Sequence, residues 1–124
     1  MKQTVLVVDD EINLLNLLQD NLEDAGYGVI TAPDGEEALK RWIEKKPAAI
    51  ILDIEMPKMN GWQVLKEIRQ VSPKAPIIII LSAYAQPENI KRGLSMGANH
   101  YMTKPFKVRE LLDSLEGLLA GGTS

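Results

Sequence analysis

The feature that most constrains this chain is a set of short, unbroken apolar runs. Val5-Leu6-Val7-Val8, Ala48-Ala49-Ile50-Ile51-Leu52 and Ile77-Ile78-Ile79-Ile80-Leu81 carry apolar side chains at consecutive positions. A strand with one solvated face alternates apolar and polar residues, whereas a run apolar throughout belongs to a strand covered on both faces. Gly28-Val29-Ile30-Thr31-Ala32 and Asn99-His100-Tyr101-Met102 read as two further strands. Between the strands lie stretches with helical spacing. Ile12 to Ala25 is rich in Leu and stops at Gly26. Asp34 is placed to cap a second helix, ending at Pro47. That helix sets Glu36/Lys40 and Glu37/Arg41 on one side and Ala38, Leu39, Trp42 and Ile43 on the other. Val64, Leu65, Ile68 and Val71 mark the apolar stripe of a third. Pro87 opens a fourth, running to about Met96, which is the least apolar and contains Gly93. Val108, Leu111, Leu112, Leu115, Leu118 and Leu119 give the last helix, the cleanest amphipathic one.

Strands alternating with helices over short connections imply an α/β fold, a parallel sheet with helices on both faces. Right-handed crossovers restrict it to a few doubly wound forms. A length of 124 residues fits one domain, assigned to residues 1–120, with residues 121–124 as a flexible tail. Cysteine is absent and His100 is the sole histidine. Disulfides, thiolate nucleophiles and Cys-ligated metal centres are therefore excluded. The net charge of -3, with basic residues scattered in short clusters, argues against direct nucleic-acid binding. No apolar run approaches the roughly 18 residues of a membrane span. The start, Met1-Lys2-Gln3-Thr4-Val5, has no signal-peptide pattern, so a cytoplasmic location is expected.

Polar chemistry collects at the carboxyl ends of the strands. Asp9 and Asp10 follow the first, Asp53 the third and Ser82 the fourth, and Lys104 lies just past the fifth. Open α/β sheets bind ligands at that edge, where the strand order reverses. If the strand order is 2-1-3-4-5, one of the forms left open, Asp9, Asp10 and Asp53 share one crevice. Three ionised carboxylates there repel, and a hard divalent cation such as Mg²⁺ is the natural remedy. A lysine and a hydroxyl beside such a cation suit a phosphoryl group, and Asp53 could act as a nucleophile to form an acyl phosphate. Taken singly, these residues also have plainer roles. Asp10 fits the N-cap of the first helix, Ser82 a turn, Lys104-Pro105 a surface loop and Tyr101 half-buried strand packing.

Four blocks in order make the chain resemble a response-regulator receiver domain over nearly its whole length. They are Val7-Val8-Asp9-Asp10-Glu11, then Asp53-Ile54-Glu55-Met56-Pro57-Lys58-Met59-Asn60-Gly61, Ser82-Ala83, and Tyr101-Met102-Thr103-Lys104-Pro105-Phe106. The resemblance implies a flavodoxin-like, five-stranded parallel sheet of order 2-1-3-4-5 with five helices. It implies that Asp53 accepts a phosphoryl group from a phosphohistidine on a sensor histidine kinase or histidine phosphotransfer protein. Mg²⁺ would be held by Asp9, Asp10, Asp53 and the backbone carbonyl of Glu55, with Asp9 acting through water. Ser82 would hydrogen-bond the phosphoryl group and Lys104 would pair with it, behind a cis Lys104-Pro105 bond. Ser82 and Tyr101 match the switch positions, and Glu55 and Tyr84 the positions that modulate phosphoryl lifetime. The face of the fourth helix, fifth strand and fifth helix would meet a downstream effector. Serine at position 82 lacks the β-branch of the more common threonine, so looser coupling is expected.

The chain is then no enzyme in the ordinary sense, but a phosphoacceptor catalysing its own phosphorylation and dephosphorylation in a two-component phosphorelay. Asp53-Ile54-Glu55 also faintly resembles the start of haloacid-dehalogenase-type phosphatases. A flavodoxin-like cofactor carrier would need a different loop from Asp9-Asp10-Glu11. A never-phosphorylated interaction module of the same fold would not need the acidic set. A free-standing receiver and one cut from a larger regulator both fit the sequence.

Overall fold

Every apolar run becomes a strand and every helical stretch a helix, in strict alternation. The structure, a computed structural model, describes residues 2–56 and 59–121. Pro57 and Lys58 of the loop motif, and residues 122–124 of the expected tail, lie outside the described residues. The strands are β1 (Thr4–Val8), β2 (Gly28–Ala32), β3 (Ala49–Asp53), β4 (Ile77–Ser82) and β5 (His100–Thr103). The helices are α1 (Ile12–Asp24), α2 (Gly35–Lys45), α3 (Gly61–Val71), α4 (Pro87–Ser95) and α5 (Val108–Leu119). They form one five-stranded sheet of order β2-β1-β3-β4-β5, parallel throughout. This is the doubly wound, flavodoxin-like arrangement.

The unbroken apolar runs have a direct explanation. Val5 and Val7 pack with Ala49, Ile51, Ile79 and Leu81 against Leu15, Leu18 and Leu22 of α1 and Leu111, Leu115 and Leu118 of α5. Their neighbours Leu6 and Val8 face the other way, with Ile50, Leu52, Ile78 and Ile80, onto Ala38 of α2 and Val64, Leu65 and Ile68 of α3. Successive strand residues thus feed two cores, one on each face of the sheet. At roughly 1.5–3 kcal/mol per buried aliphatic side chain, these cores supply the main driving force for folding.

Local signals set the helix ends. Asp34 Oδ1 accepts from the Glu37 N–H at 2.9 Å and caps α2, as its position suggests. Asn60 and Gln63 form a reciprocal capping box at the start of α3. Two apolar assignments need correction. Val71 is 75% exposed and Ile43 65% exposed. Val71 ends α3, and both side chains lie beside an apolar groove with Trp42, Pro47, Ala75 and Pro76. Glu37 meets both Lys40 and Arg41, each at 3.6 Å.

Gly93 and Gly61 are among the glycines that close approach requires. A Cβ on Gly93 would lie 2.8 Å from Ile80 Cδ1 and 2.9 Å from Tyr101 Cδ2. This glycine therefore lets α4 sit directly on the sheet, which its loss of helix propensity alone does not reveal. A Cβ on Gly61 would overlap the Asp53 carbonyl oxygen and lie 2.7 Å from Ile54 Cα. Backbone cannot yield as a side-chain tip can, so Gly61→Ala is expected to cost about 2–3 kcal/mol. Gly117, within α5, has nothing within 4 Å of an added Cβ, and Gly117→Ala is expected to gain about 0.5–1 kcal/mol. Urea denaturation of the two variants checks both signs, and equal midpoints would contradict the packing described.

Candidate functional site

The order of the sheet builds the site. The chain leaves β1 for β2 on one side and then crosses to β3 on the other. Accordingly α1 and α2 lie on opposite faces of the sheet. A crevice opens at the carboxyl ends of β1 and β3. Asp9 directly follows β1 and Asp53 ends β3, and each is only 2% exposed. Asp10 is exposed at the rim. Each offers one carboxylate oxygen, and the three oxygens lie within 4.8 Å of one another. Asp10 does not cap α1. The N-cap residue is Glu11, without a side-chain bond, and Asp9 Oδ1 accepts from the Glu11 N–H at 2.9 Å.

Lys104 supplies the opposing charge. It follows β5, and its backbone N–H donates to the Ser82 carbonyl at 2.8 Å, extending the β4–β5 ladder by one bond. The Lys104-Pro105 bond is cis. From there its Nζ reaches Asp9 Oδ2 at 3.0 Å and Asp53 Oδ1 at 3.5 Å. Burial pushes the Asp53 carboxyl up to about 7, and the neighbouring Asp9 charge pushes the same way. Lys104 and the Glu55 N–H, which donates to Asp53 Oδ1 at 3.2 Å, offset this only in part. Burial pulls the Lys104 ammonium down, but the hydrogen bond to Asp9 and the charges of Asp53 and Asp9 outweigh it, leaving it raised. Among the described residues, one cation thus faces three carboxylates. An all-oxygen, over-charged cluster of this kind fits a hard divalent cation such as Mg²⁺.

Ser82 ends β4 and is fully buried. Its Oγ donates to Glu55 Oε1 at 2.7 Å and accepts from the Tyr84 N–H at 2.9 Å. The Ala83 N–H donates to the same Glu55 oxygen at 2.9 Å. Tyr101 is buried, 8% exposed, and its hydroxyl donates to the Tyr84 carbonyl at 2.7 Å. Tyr84 is itself 46% exposed. The structure therefore brings Asp9, Asp10, Asp53 and Lys104 into one cluster. Glu55, Ser82, Tyr84 and Tyr101 form a hydrogen-bonded chain leading away from it. Two features escaped the sequence: the Ala83 amide, which has no side-chain signature, and the reach of the Glu55 carboxylate across to β4.

A receiver domain is the class of protein that this sheet and this acid–lysine cluster define. Residues 5–116 match the family described as the response regulator receiver domain. The chain is 44% identical over 119 residues to the alkaline phosphatase synthesis transcriptional regulatory protein PhoP of Bacillus subtilis, covering 96% of this chain and 49% of that protein. Among solved structures, the receiver domain of the Francisella response regulator 1452 superimposes with a TM-score of 0.92 at 32% identity, covering 97% of this chain and 98% of that one. The Vibrio cholerae chemotaxis protein CheY4 gives 0.86 at 37% identity, covering 94% and 98%. The chain belongs to the response-regulator receiver domains of two-component systems. It spans about half the length of the curated relatives it matches.

The raised Asp53 carboxyl has a measurable consequence. The folded protein keeps a proton there that the unfolded chain releases above 3.8, so stability falls as pH rises from there to about 7 and the contribution levels off above. Without divalent cations, Asp53→Asn is expected to raise the thermal midpoint at pH 8 by several degrees, the equivalent of about 1–3 kcal/mol. That gain should shrink as the pH falls through 7 and vanish only near the unfolded value of 3.8. Equal midpoints for the two proteins at pH 8 would contradict the charge balance described.

Proposed function

We propose that Asp53 is the phosphoacceptor of a phosphorelay. The carrying observation is its buried carboxylate at the end of β3, 3.5 Å from Lys104 and clustered with Asp9 and Asp10. The donor is a phosphohistidine on a sensor histidine kinase or a histidine phosphotransfer protein, in the cytoplasm. One Asp53 carboxylate oxygen attacks phosphorus, the phosphorus–nitrogen bond breaks, and the histidine nitrogen departs with the electron pair. Asp9, Asp10, Asp53 and the Glu55 backbone carbonyl would hold Mg²⁺, which supplies positive charge to the phosphoryl oxygens when bound. Lys104 contributes a second, fixed positive charge on the same side. Ser82 contributes a hydroxyl donor.

The coupling to a partner runs through Ser82 and Tyr101. The hydrogen bonds from Ser82 through Tyr84 to Tyr101 end on the face built by α4, β5 and α5. We assign that face to the downstream effector. Glu55 and Tyr84, in the loops after β3 and β4, are assigned the setting of phosphoryl lifetime through water access. Changing both is expected to alter the rate of autodephosphorylation, and an unchanged rate would remove that role.

The phosphatase alternative asks Glu55 to act as an acid on a substrate at Asp53, but its carboxylate is engaged by Ser82 and Ala83. The names of the relatives describe transcriptional regulators about twice as long as this chain, and direct contact with nucleic acid is not assigned to residues 1–124. Among the described residues no helix is long and apolar enough to cross a membrane.

Intact-mass measurement after incubation with acetyl phosphate tests the chemistry. One added phosphoryl group is expected, dependent on Mg²⁺ and absent in Asp53→Asn. No adduct on the native chain would mean an interaction module of this fold that is not phosphorylated.

A further inference from the structure

The Glu55 side chain does something that its place in the loop does not require. Its Oε1 receives two converging donors, the Ser82 hydroxyl at 2.7 Å and the Ala83 N–H at 2.9 Å. Two donors aimed at one anionic oxygen form a small oxyanion cradle at the end of β4. A serine hydroxyl has a single O–H to give. Here that proton is committed to Glu55, while the Oγ lone pair takes the Tyr84 N–H at 2.9 Å.

We propose that Glu55 is an internal anion that occupies the phosphoryl-binding cradle of the free protein and must be displaced before Ser82 can bind a phosphoryl oxygen. The inference rests on the assignment of Asp53 as phosphoacceptor. A carboxylate oxygen and a phosphoryl oxygen are equivalent acceptors for such donors, so the two compete for one O–H. They also repel, since a phosphoryl group on Asp53 would sit two residues from the Glu55 carboxylate. Glu55 is thus a positioning residue. It holds the Ser82 hydroxyl and the Ala83 amide in a binding-ready arrangement, at the cost of occupying them.

The same contact reaches the partner face. Glu55 fixes Ser82 and Ala83, Ser82 fixes the Tyr84 amide, and the Tyr84 carbonyl receives the buried Tyr101 hydroxyl at 2.7 Å. With Glu55 in the cradle, the loop after β4 is held without any phosphoryl group. Removing the carboxylate should therefore register at Tyr101 in the free protein. That effect separates an anchored loop from a surface glutamate without consequence.

The test compares the native chain with Glu55→Ala and Glu55→Gln, using beryllofluoride with Mg²⁺ as the phosphoryl analogue and Asp53→Asn as the control. Glu55→Ala is expected to bind beryllofluoride roughly 10- to 100-fold more tightly than the native chain, the value of one charge-assisted hydrogen bond. Glu55→Gln keeps an acceptor but loses the charge, and should fall between. In the analogue-free proteins, the Ala83 amide and the Tyr101 ring resonances should shift in Glu55→Ala and shift less in Glu55→Gln. Equal or weaker analogue binding by Glu55→Ala, with binding to the native chain still dependent on Asp53, overturns the competition and leaves the phosphoacceptor assignment standing. No Asp53-dependent binding to the native chain overturns both. Unmoved Ala83 and Tyr101 resonances in Glu55→Ala show that Glu55 does not occupy the cradle.

Discussion

One ammonium group ties the working edge of this molecule together. Lys104 starts beyond β5, crosses the end of β4 and reaches Asp9 and Asp53 at the ends of β1 and β3. A contact spanning that many strands holds only if the strand ends stay in register. The register comes from the interior, where Val8 pairs with Leu52 and Asp53 with Leu81. Those pairs are fixed in turn by the alternation of side chains between two cores, because a slip of one residue would send every apolar side chain to the wrong face. The charge cluster is therefore a product of the apolar runs. It is also a strain on them, since three carboxylates share one lysine and burial favours the protonated form of Asp53.

Rigidity is distributed unevenly around this edge. The carboxyl end of α4 leads into a heavily bonded junction. Arg69 donates to the Gly97 carbonyl at 2.9 Å, the Pro76 carbonyl at 2.7 Å, the Ser72 carbonyl at 3.2 Å and Asn99 Oδ1 at 3.1 Å. The ring of Trp62 in α3 supports α4 as well, with the Arg92 guanidinium 4.1 Å from its centroid. The amino end is different. Residues 83–88 are exposed, and the loop there is bonded to the rest of the fold through Glu55, Ser82 and Tyr101. The amino end of α4 is thus the more lightly held one, and low local stability marks elements that move. The light end is the one beside the charge cluster.

The fold was legible because every level of the sequence agreed. Periodicity, helix punctuation and unbroken strands all pointed to one parallel sheet, and elements matched to within a residue or two at their ends. The exceptions have physical causes. Val71 and Ile43 obey helical spacing yet lie outward, because spacing identifies a face but not how far the covering layer extends. Gly93 looked like a weak point in a helix, whereas its purpose is contact with Ile80 and Tyr101, which lie 13 and 8 positions away in the chain. In the site, Asp9, Asp10, Asp53 and Lys104 were legible because strand ends are readable and topology brings them together. The Glu55–Ser82–Ala83 contact was not, since it depends on a rotamer and on a backbone amide.

That contact bears on the choice of serine at position 82. Threonine would stiffen χ1 through its β-methyl, and serine forgoes that restraint. Here the hydroxyl is restrained by its partners instead, donating to Glu55 and accepting from the Tyr84 amide. Hydrogen bonds differ from a methyl group in one respect: they can be exchanged. A β-branch stiffens the side chain in every state, whereas the Glu55 bond restrains it only while the carboxylate is present. On the proposal that Glu55 gives way to a phosphoryl oxygen, an exchangeable restraint in place of a steric one makes the position of Ser82 conditional on which anion it faces. The same hydroxyl accepts from the Tyr84 amide, whose residue's carbonyl receives the Tyr101 hydroxyl, so the restraint on Ser82 and the anchoring of Tyr101 on the neighbouring strand share one short segment.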